Sequence, residues 1–510
     1  MMPAVAGLFG VFLVLLATST FGPGVSPDSA AYLSAAESVA AGRGYVKFDD
    51  ELYAHLPPLY PTVLAAGVVL GLDAVTVARL LNALAFGLIV FAGSVLVDLH
   101  ARSRGGVILG VCALLISPTL FSASTMAWSE PFFTLLLVLV AVWLRRHSLA
   151  GRYRDLLIAA GCAALACLQR YAGIFVVMAA VIVIVSRRDP TVRVTERVRQ
   201  AFVFVLVALS PIALWVVRNI YVTGASSFPL NPVGLDPIAA LSSAVGVFTG
   251  WAFPPRWPLP LRIAGAAIVV AFGWLVTRRV GAGPAEGEDW KARLRVPLIL
   301  AAVYSVCIFA IILTIHNETS RLLGPTYPWM IVLTVVAFEE GLRRLRGGRR
   351  VSAVVTAVMV TACVIWLGYQ ASRIVRDVGL DVRHGVGPYR RVFQRSATLA
   401  RIRTSPSDGP LYSNAPEVIY LFTGQHARFG PARHQALAGF ASSEPCYLVW
   451  LERVPVNIVL SPDELARVFA VTPIARLTDG AVYRVGPLRR SSALATVSLR
   501  HHDRERHSRK

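Results

Sequence analysis

The chain has 510 residues, of which 55% are hydrophobic and only 15% are charged, and its mean hydropathy is +0.60. This composition is too apolar for one soluble core and predicts a membrane protein. The net charge of +21 raises nucleic acid as a partner, but most basic residues lie in short loops between apolar runs, where they signal topology instead.

Apolar stretches of roughly 17 to 25 residues predict membrane spans along the chain. The first stretch is expected to stay as an uncleaved span, because no basic region precedes it and many further spans follow. Two short stretches flank Arg170 and could form one bent helix or two. The predicted spans are 3–21, 74–98, 106–121, 127–144, 156–169, 171–186, 200–220, 261–277, 296–315, 322–340 and 351–369.

The basic residues predict the orientation of these spans. Alternate loops are rich in arginine, whereas the basic residues in the opposite connections SASTMAWSE, RYAG, 222–260 and HNETSR are only Arg170, Arg256 and Arg321. Because basic loops stay in the cytoplasm, the N-terminus is expected inside, and residues 22–73 and 370–510 outside. The apolar segment 235–254 would invert every later loop if it crossed the membrane, so it is expected to be a surface or re-entrant helix.

The expected fold is therefore mainly α, a polytopic transmembrane helix bundle at the plasma membrane with a small extracytoplasmic α/β domain. The expected boundaries are 1–370 for the transmembrane domain, including the first outer loop 22–73, and 371–490 for the α/β domain. Residues 491–510 read as a basic disordered tail that could touch anionic lipid or cell-wall polymer. Only Cys446 lies in the polar C-terminal part, so no disulfide framework is expected.

The first outer loop is long and has a clear helix start. Ser26 can cap a helix, Pro27 suits its first position, and Gly42 and Gly44 end the helical pattern. Two interpretations of Asp28 are open: an acid stabilised by the helix dipole, or a general base that takes the proton of an acceptor hydroxyl. The residues alone leave both open.

A resemblance to a known family favours the second reading. The segments PDSAAYLSAAESVAAGRGY, YAHLPPLYPTVLAAGVVLGL and VARLLNAL follow one another as in the opening of GT-C glycosyltransferases, notably the protein O-mannosyltransferases and lipid A aminoarabinose transferases. Later segments also resemble bacterial members of this family, and together they touch most of the chain. They are SEPFFTLLL, LQRYAGIF, WVVRNIYVTG, SRLLGPTYPWM and LYSNAPEVIYLFTGQ.

The resemblance implies that Asp28 is the catalytic base and that Tyr32, on the same helix face, contacts substrate. Ser29 departs from the family, because many relatives have a second acid there, which puts paired carboxylates or a metal site in doubt. His55 precedes Leu56, where relatives have a basic residue, and could contact phosphate or cap the next helix. A divalent cation stays open, since no metal-ligand cluster with diagnostic spacing occurs.

Glu130 stands at the entrance of a predicted span, where a buried charge is costly without a partner. Two interpretations are open: an acid at a helix N-terminus, or a second catalytic acid near the sugar or the acceptor. The acidic run 49–51 reads as a solvated loop.

Four arginines lie at the outer ends of spans, against the overall bias of basic residues towards the cytoplasm. Snorkelling accounts for any one of them, but four suggest an anion such as the phosphate of a polyprenyl donor, which guanidinium groups bind in a fork. Arg218, with Asn219 as a further substrate contact, and Arg321 match family segments and are the preferred contacts. The four residues are Arg79, Arg170, Arg218 and Arg321.

The sequence thus predicts a glycosyltransferase that moves a sugar from a polyprenyl phosphate to an extracytoplasmic glycan, lipid or protein, with inversion and with no certain cofactor. Two alternatives are a transporter of lipid-linked sugars, which would not need Asp28, and a non-catalytic protein that binds the cell envelope.

Overall fold

A computed structural model describes residues 1–187, 191–224, 236–279, 290–314, 319–345, 351–405, 408–432, 446–454 and 459–488. Its contacts divide the chain into two compact units, one formed by Met1–Pro23 and Ala54–Gly385 and the other by Gly24–Tyr53 and Val386–Lys510. The sequence boundaries differ, because they leave the first outer loop with the transmembrane domain and break the chain at 370. The predicted disordered tail lies outside the described residues.

The first unit consists of helices joined mostly by short loops. Most of these helices coincide with the predicted apolar stretches. They are α1 (Met2–Ala17), α3 (Leu59–Val69), α4 (Ala74–Asp98), α5 (Arg104–Leu115), α6 (Pro118–Ser124), α7 (Glu130–Ala150), α8 (Tyr153–Gln169), α9 (Gly173–Val185), α10 (Val194–Thr223), α11 (Pro237–Ala252), α12 (Leu259–Arg279), α13 (Trp290–Thr314), α14 (Thr319–Leu323), a 3₁₀ turn (Gly324–Thr326), α15 (Tyr327–Leu345) and α16 (Val351–His384).

Six helical segments in the described part of the chain are long and apolar enough to cross a bilayer, and the bent pair α5–α6 would make seven. The predicted count of eleven is not confirmed: the other four predicted spans correspond to α12 and to α1, α8 and α9, and the last three have only 16, 17 and 13 residues, whereas a bilayer core needs about 20. The six are Ala74–Asp98, Glu130–Ala150, Val194–Thr223, Trp290–Leu313, Thr319–Arg343 and Ala353–Phe393.

The stretch around Arg170 forms two helices rather than one bent helix. Helix α8 ends at Gln169, and the Gly173 N–H bonds the Arg170 carbonyl at 2.9 Å as α9 begins. A Cβ on Gly173 would lie 2.6 Å from the backbone carbon of Ala166 and from the Cys167 nitrogen. Only glycine allows this close return of the chain, which leaves Arg170 at the tip of the turn.

One end of the helical unit gathers loops that the arginine pattern predicts on a single side. The Glu339 carboxylate, near the end of α15, accepts backbone N–H bonds of 2.8 Å from Arg102 and Ser103 and pairs with Arg293 at 3.0 Å. The Arg293 guanidinium also donates to the His100 carbonyl. The α4–α5 loop, the start of α13 and the end of α15 therefore meet, as the alternation of basic loops predicts.

The second unit combines the helix of the first loop with a small sheet. Strand β1 is parallel to β2 and β3, whereas β5 is antiparallel to β3 and β4, in the order β2-β1-β3-β5-β4. The elements are α2 (Pro27–Ala40), α17 (Gly387–Phe393), α18 (Ala397–Thr404), β1 (Leu411–Ser413), α19 (Pro416–Thr423), β2 (Arg428–Phe429), β3 (Cys446–Leu451), α20 (Pro462–Ala466), β4 (Phe469–Leu477) and β5 (Gly480–Leu488).

The segment Gly24–Tyr53 takes part in the hydrophobic core of the second unit. Val25 is 1% exposed and belongs to the same cluster as Leu399, Val418 and Val449. The Tyr420 hydroxyl donates to Glu37 of α2 at 2.7 Å. Helix α2 is therefore packed into the unit formed by the C-terminal residues, and its position depends on their folding.

Candidate active site

In the helical unit, one buried carboxylate holds two of the four predicted outer arginines. Glu130 opens α7, and its side chain is 3% exposed. Its Oε1 atom lies 2.9 Å from Arg170 Nη1 and 2.6 Å from Arg321 Nη2, and accepts a second bond of 2.8 Å from Arg321 Nε. Two positive charges against one negative charge leave this cluster, Glu130–Arg170–Arg321, with a net charge of +1.

The cluster is supported by the turn that precedes α7. Arg170 also donates to the Ser129 hydroxyl at 3.0 Å, and Gln169 donates to the Ser129 carbonyl at 3.0 Å. The Arg321 guanidinium lies 4.0 Å from the centre of the Trp128 ring, a cation–π distance. The Glu130 Oε2 atom is buried and has no hydrogen-bond partner among the described residues.

Asn82 holds the turn before α7 in place, and it was not among the predicted site residues. It is 0% exposed in the middle of the apolar helix α4, and its amide donates to the carbonyls of Met126 and Trp128 at 2.7 and 2.9 Å. A side-chain amide inside a membrane helix costs free energy unless it is hydrogen-bonded. Such a residue is therefore a candidate for a structural or functional contact. That signal was present in the segment VARLLNAL.

Arg218 and Asn219 lie near the end of α10. The Arg218 guanidinium lies 4.8 Å from the centre of the Trp215 ring and donates to Asn219 Oδ1 at 2.8 Å. Asn219 is 0% exposed and donates to the Ala54 carbonyl at 3.1 Å. Asn219 therefore orients Arg218 and anchors the chain at Ala54.

Arg79 and His55 lie in different environments from the buried cluster. Arg79 donates to the Thr18 hydroxyl and to the Leu15 carbonyl, both at 2.9 Å, and so ties α4 to the end of α1. His55 is exposed. The next helix begins at Leu59 with Pro58 at its N-cap, so His55 does not cap it.

Asp28 lies in the second unit, in the first turn of α2, and is partly exposed. Pro27 occupies the first helical position, and the Ser26 N–H donates to the Ser29 hydroxyl at 3.1 Å. Ser29 is 0% exposed and serves the helix start. Tyr32 is 3% exposed, so the helix face that it shares with Asp28 is largely covered at that point.

The acidic run 49–51 is bound in ion pairs. Lys47 pairs with Asp49 at 2.9 Å and with Glu51 at 3.0 Å. Asp50 has a positive φ of 65° and pairs with Arg428 of β2 at 2.8 Å. These contacts tie the loop to the edge of the sheet beside an open cavity of about 530 Å³.

A second carboxyl group of the same unit was missed by the sequence reading. Glu417, in the first turn of α19, is 7% exposed, and its Oε2 atom has no hydrogen-bond partner in the described part of the chain. Burial raises the pKa of Glu417 to about 7. The signal was an acid after a proline in the segment SNAPEVIY, but its burial depends on distant packing.

No group of three or more potential metal ligands among His, Cys, Asp and Glu occurs within the described residues.

No protein-family profile matches the sequence, and no curated protein matches it significantly. Among solved structures, the chain is similar to ArnT from Cupriavidus metallidurans, both in the apo state and bound to undecaprenyl phosphate. Each comparison has a TM-score of 0.62 at 15% identity, and they cover 94% and 95% of this chain and 97% of ArnT. The chain has the GT-C fold.

The GT-C fold also includes arabinofuranosyltransferase AftD from mycobacteria, to which the chain is similar with a TM-score of 0.53 at 15% identity. That comparison covers 95% of this chain but 40% of the longer AftD chain. At such identities the comparisons establish the fold, and they confirm the resemblance found in the sequence at that level.

Proposed function

We propose that this protein transfers a sugar from a polyprenyl-phosphate donor to a hydroxyl group of an extracytoplasmic glycan, lipid or protein. The observation that carries the proposal is the net positive Glu130–Arg170–Arg321 cluster, built into a fold that ArnT shares over nearly its whole length. Two guanidinium groups held beside one carboxylate in a largely buried site favour a phosphate group.

The donor's phosphate is the leaving group of the proposed reaction. Glu130 accepts hydrogen bonds from Arg170 and Arg321 and holds their guanidinium groups in one geometry, so that the two positive charges are preorganised beside an anion. Arg218, oriented by Trp215 and Asn219, is a further phosphate contact. In this scheme Glu130 positions the arginines and does not itself touch the reacting atoms.

Asp28 is the base in the proposed mechanism. Its carboxylate accepts the proton of the acceptor hydroxyl as that oxygen attacks the anomeric carbon of the donor sugar. The bond from the anomeric carbon to the phosphate oxygen breaks, and its electron pair leaves with the polyprenyl phosphate. Because one displacement occurs from the opposite face, the anomeric configuration inverts.

The function can be tested with a panel of radiolabelled polyprenyl-phosphate sugars in membranes that contain the overexpressed protein. We expect one donor to pass its label to a glycan, lipid or protein fraction, above the level in membranes without the protein. A panel that gives no such transfer, together with purified protein that binds no polyprenyl phosphate, would refute the proposal.

Arg218→Ala is expected to weaken binding of undecaprenyl phosphate to the purified protein by about 10- to 100-fold, because a charge-assisted hydrogen bond contributes roughly 1.5 to 3 kcal/mol. Titration of the lipid into the detergent-solubilised protein measures the change. Arg256→Ala is the matched control, since Arg256 is an exposed arginine of the same unit with no assigned role. Equal affinities of the two variants would remove Arg218 from the donor site.

A further inference from the structure

Asn82 connects α4 to the turn before α7, residues 125–129. It lies about two turns into α4. Its amide nitrogen donates to the carbonyls of Met126 and Trp128 at 2.7 and 2.9 Å, and its oxygen accepts a bond of 3.4 Å from the Tyr60 hydroxyl of α3. Because both ends of the amide are bonded, its orientation is fixed, and the turn is held across 44 and 46 positions of the chain.

The turn before α7 needs such donors because it is buried. Met126 and Ser129 are 6% and 0% exposed, and backbone carbonyl groups at such depth need partners within the protein. Asn82 supplies two donors from a helix that packs against both α6 and α7. The position of the turn therefore depends on this one side chain.

The turn contacts both arginines of the Glu130–Arg170–Arg321 cluster. The Ser129 hydroxyl accepts a bond of 3.0 Å from Arg170, and the Trp128 ring centre lies 4.0 Å from the Arg321 guanidinium carbon. A continuous series of contacts thus leads from Asn82 through Trp128 to Arg321, and along the same turn through Ser129 to Arg170.

Two contacts of different kinds fix the plane of the Arg321 guanidinium group. Its Nε and Nη2 atoms lie 2.8 and 2.6 Å from Glu130 Oε1, which fixes one edge. The Trp128 ring covers one face. A planar group held at one edge and one face has a single orientation, so the direction of Arg321 depends on Trp128 as well as on Glu130.

We propose that Asn82 is a positioning residue of the phosphate site, which acts on Arg170 and Arg321 through the turn before α7 and orients Arg321 with the Trp128 ring. This inference rests on the proposed function, in which the two arginines bind the donor phosphate. A guanidinium group binds phosphate best as a planar fork. A small displacement of the turn would therefore misalign two charged contacts at once.

The affinity for undecaprenyl phosphate tests this role. Asn82→Leu keeps a branched side chain of similar size but cannot donate to the turn, so binding to the detergent-solubilised protein is expected to weaken by about 10- to 100-fold. Asn414→Leu is the matched control, because Asn414 is 1% exposed and donates to the Leu451 carbonyl at 2.9 Å in the second unit. It should lower the unfolding temperature but keep the native affinity. Equal affinities of the two variants would overturn the inference.

A double-mutant cycle distinguishes positioning from a general loss of stability. If Asn82 acts through the cluster, Asn82→Leu should weaken binding by a clearly smaller factor in the Arg321→Ala background than in the native protein. In the Arg218→Ala background it should weaken binding by the full factor, since Trp215 and Asn219 orient Arg218. The same factor in all three backgrounds would show a merely structural role.

Substitutions of Trp128 test the same contacts without changing α4. Trp128→Leu should weaken binding of undecaprenyl phosphate by about 3- to 30-fold, whereas Trp128→Phe keeps an aromatic face and should retain most of the affinity. If Arg321→Ala weakens binding but Asn82→Leu and Trp128→Leu bind as the native protein does, the inference is wrong and the proposed function stands. If the native protein neither binds the lipid nor transfers sugar, both fall together.

Discussion

Asp28→Asn is expected to reduce sugar transfer by about 10²- to 10⁴-fold, the range that loss of a general base produces. The amide keeps the size of the side chain but does not accept a proton. The measurement is transfer of radiolabel from the active polyprenyl-phosphate sugar, in membranes with equal amounts of native or variant protein. Binding of undecaprenyl phosphate to the purified variant should stay near the native value.

The fold should survive this change. Asp28 contributes to the first turn of α2 through the helix dipole, which is a matter of roughly 0.3 to 1 kcal/mol, whereas Pro27, Ser26 and Ser29 form the helix start without it. Asp49→Asn is the matched control, because it makes the same change in the same loop at a residue that pairs with Lys47. Transfer by Asp28→Asn at the level of this control would remove Asp28 from the mechanism.

The sequence predicted the local structure well where one short pattern determines it. Apolar length located α4 at Ala74–Asp98, with the bounds expected, and the serine, proline and glycine signals located α2 at Pro27–Ala40. Gly42 and Gly44, which end that helix pattern, have φ values of 74° and 78°. Such features depend on neighbours in the chain, so a single sequence contains them.

The sequence did not predict which distant segments share a unit. The bond between Tyr420 and Glu37 joins positions 383 residues apart, and nothing in either segment marks the other as its partner. A loop between two predicted spans therefore seemed to belong with those spans. Its apolar residue Val25 instead completes the core of the C-terminal residues.

The sequence also did not predict which residues the site residues contact. Glu130 and Arg321 were both singled out, one as an acid and one as a phosphate contact, yet they bond each other across 191 positions. The cost of an unpaired charge near a membrane span implied that Glu130 needs a partner. Choosing the partner required the positions of α8 and α14, which hydropathy does not provide.

Loss of the ion pairs of Glu130 is expected to have a large effect on stability. Glu130→Ala is expected to destabilise the protein by about 3 to 5 kcal/mol, because it removes the carboxylate with which Arg170 and Arg321 pair in a largely buried site. The thermal unfolding temperature of the detergent-solubilised protein measures this loss. Glu130→Gln should be milder, since its amide oxygen still accepts hydrogen bonds from the two guanidinium groups.

Glu196→Ala provides the control for Glu130→Ala. Glu196 also pairs with an arginine at 2.8 Å, but this pair with Arg199 lies on the surface, where solvent screens the attraction and its loss should leave the unfolding temperature unchanged. Arg321→Ala should cost less than Glu130→Ala, because Arg170 and Glu130 then remain paired. If Glu130→Gln instead abolishes transfer while its unfolding temperature and lipid affinity stay native, Glu130 takes part in the chemistry itself and does not merely position the arginines.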